Sequence, residues 1–236
     1  MIKNFFPNKI ISLDNKIILI LSTILIFVIF VGFIYALFIS PPDYIQGDSV
    51  RIMYVHVPSS FIAIGCFGFI GLSSIFNIIF NIKFLSLINK SLAPIGFVFS
   101  LISIVTGSFW GKPTWGTWWV WDARLTSMLI LCVFYLAFIF TWKFINNFEK
   151  ANKISAIIAI VGLLNLPIIK YSVDWWNTLH QPSSITLTSA PSIHYTMLIP
   201  LSIMFIGMLI YSLIVFLIRY KMEIIKFKLY KKKKLK

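Results

Sequence analysis

Tryptophan is concentrated in one short segment of the chain. Five of its eight tryptophans lie between residues 110 and 121, namely Trp110, Trp115, Trp118, Trp119 and Trp121. If residues 115–122 form a helical turn, Trp115, Trp118, Trp119 and Asp122 share one face, because residues three and four apart are helix neighbours. The alternative is a belt of interfacial tryptophans, but the segment is too dense for anchoring alone. This density favours a flat aromatic platform for a large planar ligand.

Three histidines are the candidate metal ligands of the chain. His56 lies near the start of an uncharged run, and an ionisable residue at the rim of a membrane span is a functional candidate. The alternative for His56 is a core histidine bonded to a neighbouring helix. His180 follows Trp175 and Trp176, which repeats the combination of tryptophan and histidine. His194 has more ordinary surroundings, which favour a structural role.

A flat aromatic surface with two histidines on the same side suggests haem, since neutral imidazole is a standard axial ligand of haem iron. Arg51, Lys112 and Arg124 could pair with the haem propionates, because an arginine fork matches a carboxylate. The sequence has no Cys-x-x-Cys-His motif, so covalent attachment is not indicated. Cys66 and Cys132 lie in apolar runs and are interpreted as small packing residues.

Long uncharged runs must position these side chains. Of the 236 residues 59% are hydrophobic and only 12% are charged. A run of about 20 apolar residues predicts a transmembrane helix. The predicted fold class is therefore all-α: a polytopic membrane protein with a bundle of six transmembrane helices, in which Pro167 disturbs the outer end of the fifth. The predicted spans are residues 17–39, 54–80, 92–110, 125–142, 154–170 and 196–218, with an external tryptophan-rich loop at 110–126 and a basic tail at 219–236.

The basic residues are distributed unevenly between the two sides of this bundle. The net charge is +14, and 17 of the 21 lysines and arginines fall on the side of both termini. The positive-inside rule then places both termini in the cytoplasm and the histidines on the outer side. The surplus is thus an orientation signal, and no nucleic-acid partner is expected. The lysine-rich tail is interpreted as an anchor against anionic lipid, with a docking site for a cytoplasmic partner as the alternative.

At these residues the chain resembles the CcmC family, which handles haem in the system I pathway of cytochrome c maturation. The segment Trp110–Thr126 is similar to the family's signature, the WWD domain. The stretches Met53–Pro58 and Trp175–Gln181 match its two flanking histidine segments. The resemblance covers about residues 20–215 and six spans, whereas the related haem lyase and synthetase proteins are longer and have more spans.

The resemblance implies that the protein binds haem b at the outer face of the membrane. His56 and His180 would ligate the iron, and the tryptophan loop would hold the ring. The protein would pass haem to the chaperone CcmE, in a complex with the ABC transporter subunits CcmA and CcmB and the small protein CcmD. It would be a delivery factor and not an enzyme, in a bacterial inner membrane with the site facing the periplasm, or alternatively in a mitochondrial inner membrane.

The alternatives to haem delivery are a transport permease and a redox subunit. A permease should carry charges or broken helices near the midplane of the membrane, but the unusual residues collect at the outer rim. A redox subunit that retains haem usually has histidines within facing helices, and only His56 approaches a span. Both comparisons favour a delivery factor.

Overall fold

The helices of the chain account for nearly all of the part that the structure describes. The computed structural model describes residues 15–176, 178–181, 190 and 192–234. A π-helical turn, Tyr35–Ile39, extends the first helix, and a 3₁₀ turn, Asp48–Ile52, leads into the second. The helices are α1 Asn15–Ile34, α2 Met53–Phe80, α3 Lys83–Trp115, α4 Ala123–Phe144, α5 Phe148–Leu163, α6 Asn165–Trp175 and α7 Tyr195–Lys234.

Six helical segments of the described chain are long and apolar enough to cross a membrane, with α5 and α6 together forming the fifth. The prediction of an all-α membrane protein with six spans is therefore confirmed. The short connections alternate between two ends of the bundle. All three histidines and the residues around 110–122 lie at one end, and the connections around residues 82 and 146 lie at the other. The placement of both termini in the cytoplasm stays a prediction.

The centre of the bundle is held by close approach of the helices and by buried hydrogen bonds. The hydroxyl of Tyr135 on α4 donates to the carbonyl of Ala63 on α2 at 2.6 Å. The Tyr135 ring also lies directly against Gly96 of α3, where an added Cβ would fall 2.0 Å from the hydroxyl oxygen. Small residues and interhelical hydrogen bonds are the usual means of helix association in membranes. Tyr135 of α4 thereby contacts both α2 and α3 in the interior of the bundle.

The fifth span is interrupted where the sequence predicts a disturbance. Proline lacks an N–H and its ring clashes with the carbonyl four residues earlier, which for Pro167 is that of Leu163. Helix α5 ends at that residue, and α6 begins at Asn165. The Asn165 amide donates to the carbonyl of Ser127 on α4 at 2.8 Å. The expected effect of Pro167 is confirmed, and Asn165 attaches the break to α4.

Two helices extend further than the predicted spans. Helix α3 continues to Trp115, so that the first part of the predicted loop 110–126 is helical. Helix α7 continues through the predicted tail to Lys234. Tyr220, Ile224 and Phe227 are buried against Leu87 of α3, because their spacing places them on one helix face. The segment after residue 218 therefore begins as a packed part of the bundle.

Candidate functional site

The tryptophan-rich segment spans the junction between α3 and α4. Helix α3 ends at Trp115 because Gly116 adopts φ +78°, a left-handed conformation that glycine takes without strain. The Gly116 N–H donates to the carbonyl of Lys112 at 3.1 Å, and residues 116–122 are not helical. The expected helical turn over 115–122 is therefore wrong. Trp115, Trp118, Trp119 and Asp122 do not share a helix face, because α3 ends before the last three of them.

His56 is held against α3 by one nitrogen of its ring. Its Nδ1 lies 3.0 Å from the carbonyl oxygen of Ser103 and 3.1 Å from the Thr106 hydroxyl. A carbonyl oxygen can only accept a hydrogen bond, so Nδ1 carries the hydrogen and Nε2 keeps its lone pair. Gly107 makes this approach feasible, since an added Cβ would lie 2.9 Å from Cε1 of His56. The imidazole is thus oriented with Nε2 available as a metal ligand.

His180 faces the start of α4 through one nitrogen of its ring, without a hydrogen bond. Its Nδ1 lies 3.8 Å from Oδ2 of Asp122, too long for a hydrogen bond, and neither atom has a hydrogen-bond partner in the described chain. The other oxygen of Asp122, Oδ1, accepts from the N–H of Leu125 at 2.7 Å and caps α4. Because Oδ1 is occupied in this way, Oδ2 is turned towards His180.

The Asp122 side chain is only 6% exposed. Burial raises the pKa of its carboxyl, but the interactions with His180 and with the N–H of Leu125 outweigh burial and leave that pKa below its ordinary value. An ionised carboxylate facing Nδ1 favours the hydrogen on Nδ1 and the lone pair on Nε2. Carboxylate–histidine pairs of this kind orient metal ligands and raise their basicity.

The two histidines approach the same end of α3. The His56 ring meets Trp110 edge to face, with centroids 5.7 Å apart, and the His180 ring lies 4.7 Å from Trp115. These two tryptophans are separated by about 7.5 Å along the helix axis, at 1.5 Å per residue. The structure therefore places both predicted ligands at the same end of α3.

The remaining tryptophans differ in their contacts and in their exposure. Trp118 packs on Phe109, and Trp121 packs on Trp119. Trp118 is 51% exposed and Trp121 is 76% exposed, so both present apolar surface outward. Trp175 and Trp176 contact each other, and Trp175 stacks on Tyr171 of its own helix α6.

The three predicted propionate partners all bind backbone oxygens. Arg51 donates to the carbonyls of Ala36 and Ser40 at 2.6 and 3.0 Å and pairs with Asp48. Lys112 donates to the carbonyl of Gly116 at 3.0 Å. Arg124 donates weakly to carbonyls of Ile169, Lys170 and Gln181, at 3.3 to 3.5 Å. Because Gln181 follows His180, Arg124 also ties the His180 segment to α4.

Several residues of the site were not predicted from the sequence. Ser103, Thr106 and Gly107 form the seat of His56, and their spacing on one face of an apolar helix was the available signal. Gln46 accepts a hydrogen bond from Nε1 of Trp110 at 2.8 Å. His194 is exposed and contacts Thr196, with Nδ1 2.8 Å from the hydroxyl, at the start of α7. These contacts are local, as expected for a histidine with a structural role.

The two histidines suit a metal ion whose other ligands come from a cofactor and not from the protein. In the described residues, no three His, Cys, Asp or Glu side chains converge as they would for a bare metal ion. Two imidazoles with free Nε2 atoms, beside aromatic rings, suit the axial positions of haem iron. In the Asp122–His180 pair neither Oδ2 nor Nδ1 has a hydrogen-bond partner in the described chain, and this buried pair is the feature that makes the fit specific.

Comparison with known proteins points the same way. The family model described as Heme exporter protein C matches residues 2–235. Heme exporter protein C of Haemophilus influenzae is 43% identical over 196 residues, which cover 83% of this chain and 80% of that protein. The Bradyrhizobium diazoefficiens protein of the same name is 38% identical over 201 residues, 85% of this chain and 76% of its own. A putative cytochrome c biosynthesis ccmC-like mitochondrial protein of Marchantia polymorpha is 41% identical over 192 residues, 81% of each chain.

Proposed function

The chain belongs to the Heme exporter protein C family, and from that premise we propose that it binds haem b noncovalently, with His56 and His180 as the iron ligands. Membership makes it a multi-pass membrane component of haem handling for cytochrome c biogenesis, in a family of haem transporters and not of enzymes. The proposal adds the site, the ligand set and the route by which haem leaves.

The proposal rests on the orientation and the tautomer of the two imidazole rings. Each has Nδ1 directed at an oxygen, the Ser103 carbonyl for His56 and the Asp122 carboxylate for His180. Of the two neutral tautomers, this arrangement favours the one that carries the hydrogen on Nδ1 and keeps the lone pair on Nε2. The two rings lie beside Trp110 and Trp115 of one helix end. Orientation of this kind is expected where a histidine ligates a metal, and packing alone does not require it.

Haem, if bound, would supply an iron that takes imidazole nitrogen as a ligand, and His56 and His180 would hold it. The residues of the chain then have separate tasks. His56 and His180 bind, Asp122 and Ser103 hold the rings in the ligating tautomer, and the tryptophans exclude water. Arg51, Lys112 and Arg124 are proposed to attract the propionates, as their backbone contacts leave further N–H groups for this purpose. Binding through neutral, noncovalent ligands permits release.

We propose that the haem passes to the chaperone CcmE, with the ABC transporter subunits CcmA and CcmB and the small protein CcmD as further partners. The exposed faces of Trp118 and Trp121 belong to the segment between Trp115, which contacts His180, and Asp122, and they offer apolar contact area to an acceptor. The site is proposed to face the periplasm of a bacterial inner membrane. A mitochondrial inner membrane is the alternative, and the relative from Marchantia polymorpha is named mitochondrial.

Haem titration of the purified full-length protein in detergent tests this function. We expect a Soret band of a low-spin iron with two imidazole ligands. His56→Ala and His180→Ala should each abolish that spectrum, and added imidazole should restore it, because free imidazole can occupy the vacated axial position. His194→Ala is the matched control and should bind as the parent protein does. Absence of a Soret band, or loss of ligation in His194→Ala alone, would refute the assignment.

A second measurement distinguishes a protein that delivers haem from a redox subunit that keeps haem for electron transfer. The haem-loaded protein is mixed with the apo form of the soluble domain of CcmE, and the two are separated after incubation. A delivery factor loses its Soret absorbance to the acceptor. A redox subunit keeps its haem under the same conditions, and this result would overturn the delivery step.

A further inference from the structure

A cavity lies at the end of the bundle opposite the histidines. It has a volume of about 190 Å³ and is bounded by α3, α4, α5 and α7. About 10–15 Å³ of such volume holds one water molecule, so the cavity has room for a ligand of several non-hydrogen atoms, such as a phosphate group. Its polar side chains are Lys90, Trp142, Asn146, Glu223, Lys226 and Tyr230.

The buried carboxylate of Glu223 holds two lysine side chains at the wall of this cavity. The Glu223 side chain is 7% exposed, and its two oxygens lie 2.8 Å from Nζ of Lys90 and 3.3 Å from Nζ of Lys226. A buried carboxylate requires such partners, so both cations are retained beside it. Nζ of Lys90 also lies 4.9 Å above the Trp142 ring. Two cations and one carboxylate leave a net charge of +1 on the cavity wall.

Trp142 contributes a donor that has no acceptor within the described chain. Its Nε1 is buried and makes no hydrogen bond there, although a buried N–H normally has a partner. The indole group can only donate, so the missing group is an acceptor. The Asn146 amide and the Tyr230 hydroxyl provide further donors on the same wall. An unmatched donor and a single positive charge fit a ligand with one negative charge and several oxygen acceptors, such as a phosphodiester.

The apolar part of the cavity decides between a lipid and a free phosphate. Leu87 and Phe227 complete the wall and are buried, and Ile145 and Phe148 are partly exposed beside them. Helix α7 adds a lysine-rich stretch beyond the cavity, and basic pockets between transmembrane helices on the cytoplasmic side recognise anionic headgroups. We propose that this cavity binds the phosphodiester headgroup of an anionic phospholipid, with Lys90, Lys226 and Nε1 of Trp142 on the phosphate oxygens. The apolar wall contacts the glycerol and the first acyl carbons.

Native mass spectrometry of the full-length protein tests the proposal, with phosphatidylglycerol or phosphatidylcholine added to the detergent. We expect one saturable phosphatidylglycerol per chain and no comparable site for phosphatidylcholine. Trp142→Phe keeps the aromatic ring but removes the N–H, and should weaken that site about tenfold, the value of one charge-assisted hydrogen bond. Lys226→Gln should do the same. Lys153→Gln, which removes an exposed charge outside the cavity, is the matched control and should leave binding unchanged.

Three results would overturn the proposal. Equal binding of the two lipids would show an apolar groove without headgroup recognition. Displacement of phosphatidylglycerol by millimolar inorganic phosphate would identify a free-phosphate site. An equal loss in Lys153→Gln would show a general effect of charge. Phe is smaller than Trp and loses part of the packing of Trp142 on Phe148, whereas Lys226→Gln leaves that ring in place, so a loss of lipid binding in both variants is attributable to the headgroup contacts.

Discussion

Replacement of Asp122 by Asn should weaken haem binding without loosening the helix that Asp122 begins. Asn is as good an N-cap residue as Asp, so the hydrogen bond from Leu125 survives. The amide nitrogen of Asn then takes the place of Oδ2, which faces Nδ1 of His180 in the structure. An amide nitrogen only donates. His180 would therefore accept at Nδ1 and carry its hydrogen on Nε2, the nitrogen needed by the iron.

The size of the effect follows from the geometry of this pair. A full positive charge on the imidazole, 3.8 Å from Oδ2, would gain about 4 kcal/mol at an effective dielectric constant of about 20. A neutral imidazole that ligates iron carries only part of that charge, so the expected loss is smaller. Removal of a carboxylate behind a metal-bound histidine typically costs about 10- to 100-fold in affinity, which corresponds to about 1.4–2.8 kcal/mol.

The assay is a haem titration followed by Soret absorbance at constant pH, for the parent protein and two variants. Asp122→Asn should show the weaker affinity, with a free energy of unfolding within about 0.5 kcal/mol of the parent value because the cap is kept. Asp48→Asn is the matched control, since it removes an acidic charge near the same end of the bundle. Asp48 pairs with Arg51, and its side chain is 78% exposed.

Two results would refute this reasoning. Parent-like haem affinity in Asp122→Asn, with an unchanged spectrum, would show that the carboxylate does not orient His180. An equal loss in Asp48→Asn would show that the affinity depends on the overall charge of the outer end.

Three further substitutions have defined outcomes. Gly107→Ala should lower haem affinity in the same titration, because its Cβ would lie 2.9 Å from Cε1 of His56, whereas Gly65→Ala meets no atom within 4 Å and serves as its control. Gly116→Ala should destabilise the protein by about 1–2 kcal/mol, the cost of a left-handed conformation for a residue with a Cβ, seen as a lower midpoint of thermal unfolding. Tyr135→Phe should lower the free energy of unfolding by about 1 kcal/mol, since a buried hydrogen bond is lost, and should leave haem affinity unchanged.

Much of the architecture was predictable because hydropathy is a local property. The six spans, the break at Pro167 and the shared side of the histidines follow from runs of apolar residues and from the alternation of the chain across a bundle. The extent of α7 was missed, because the charges after residue 218 resemble a solvated tail. The apolar spacing of Tyr220, Ile224 and Phe227 within that segment was the signal that the helix continues.

The sequence by itself determined which residues are available for haem chemistry, since the density of tryptophan and the scarcity of histidine are visible in a single chain. Only the tertiary structure decided how those residues are held. His56 is oriented by a backbone carbonyl 47 residues away, and a carbonyl is present at every residue and leaves no mark in the sequence. Asp122 meets His180 because Gly116 turns the chain and Oδ1 caps α4, which leaves only Oδ2 to face the imidazole. Such contacts depend on the packing of helices that are distant in sequence, and residue type alone does not specify that packing.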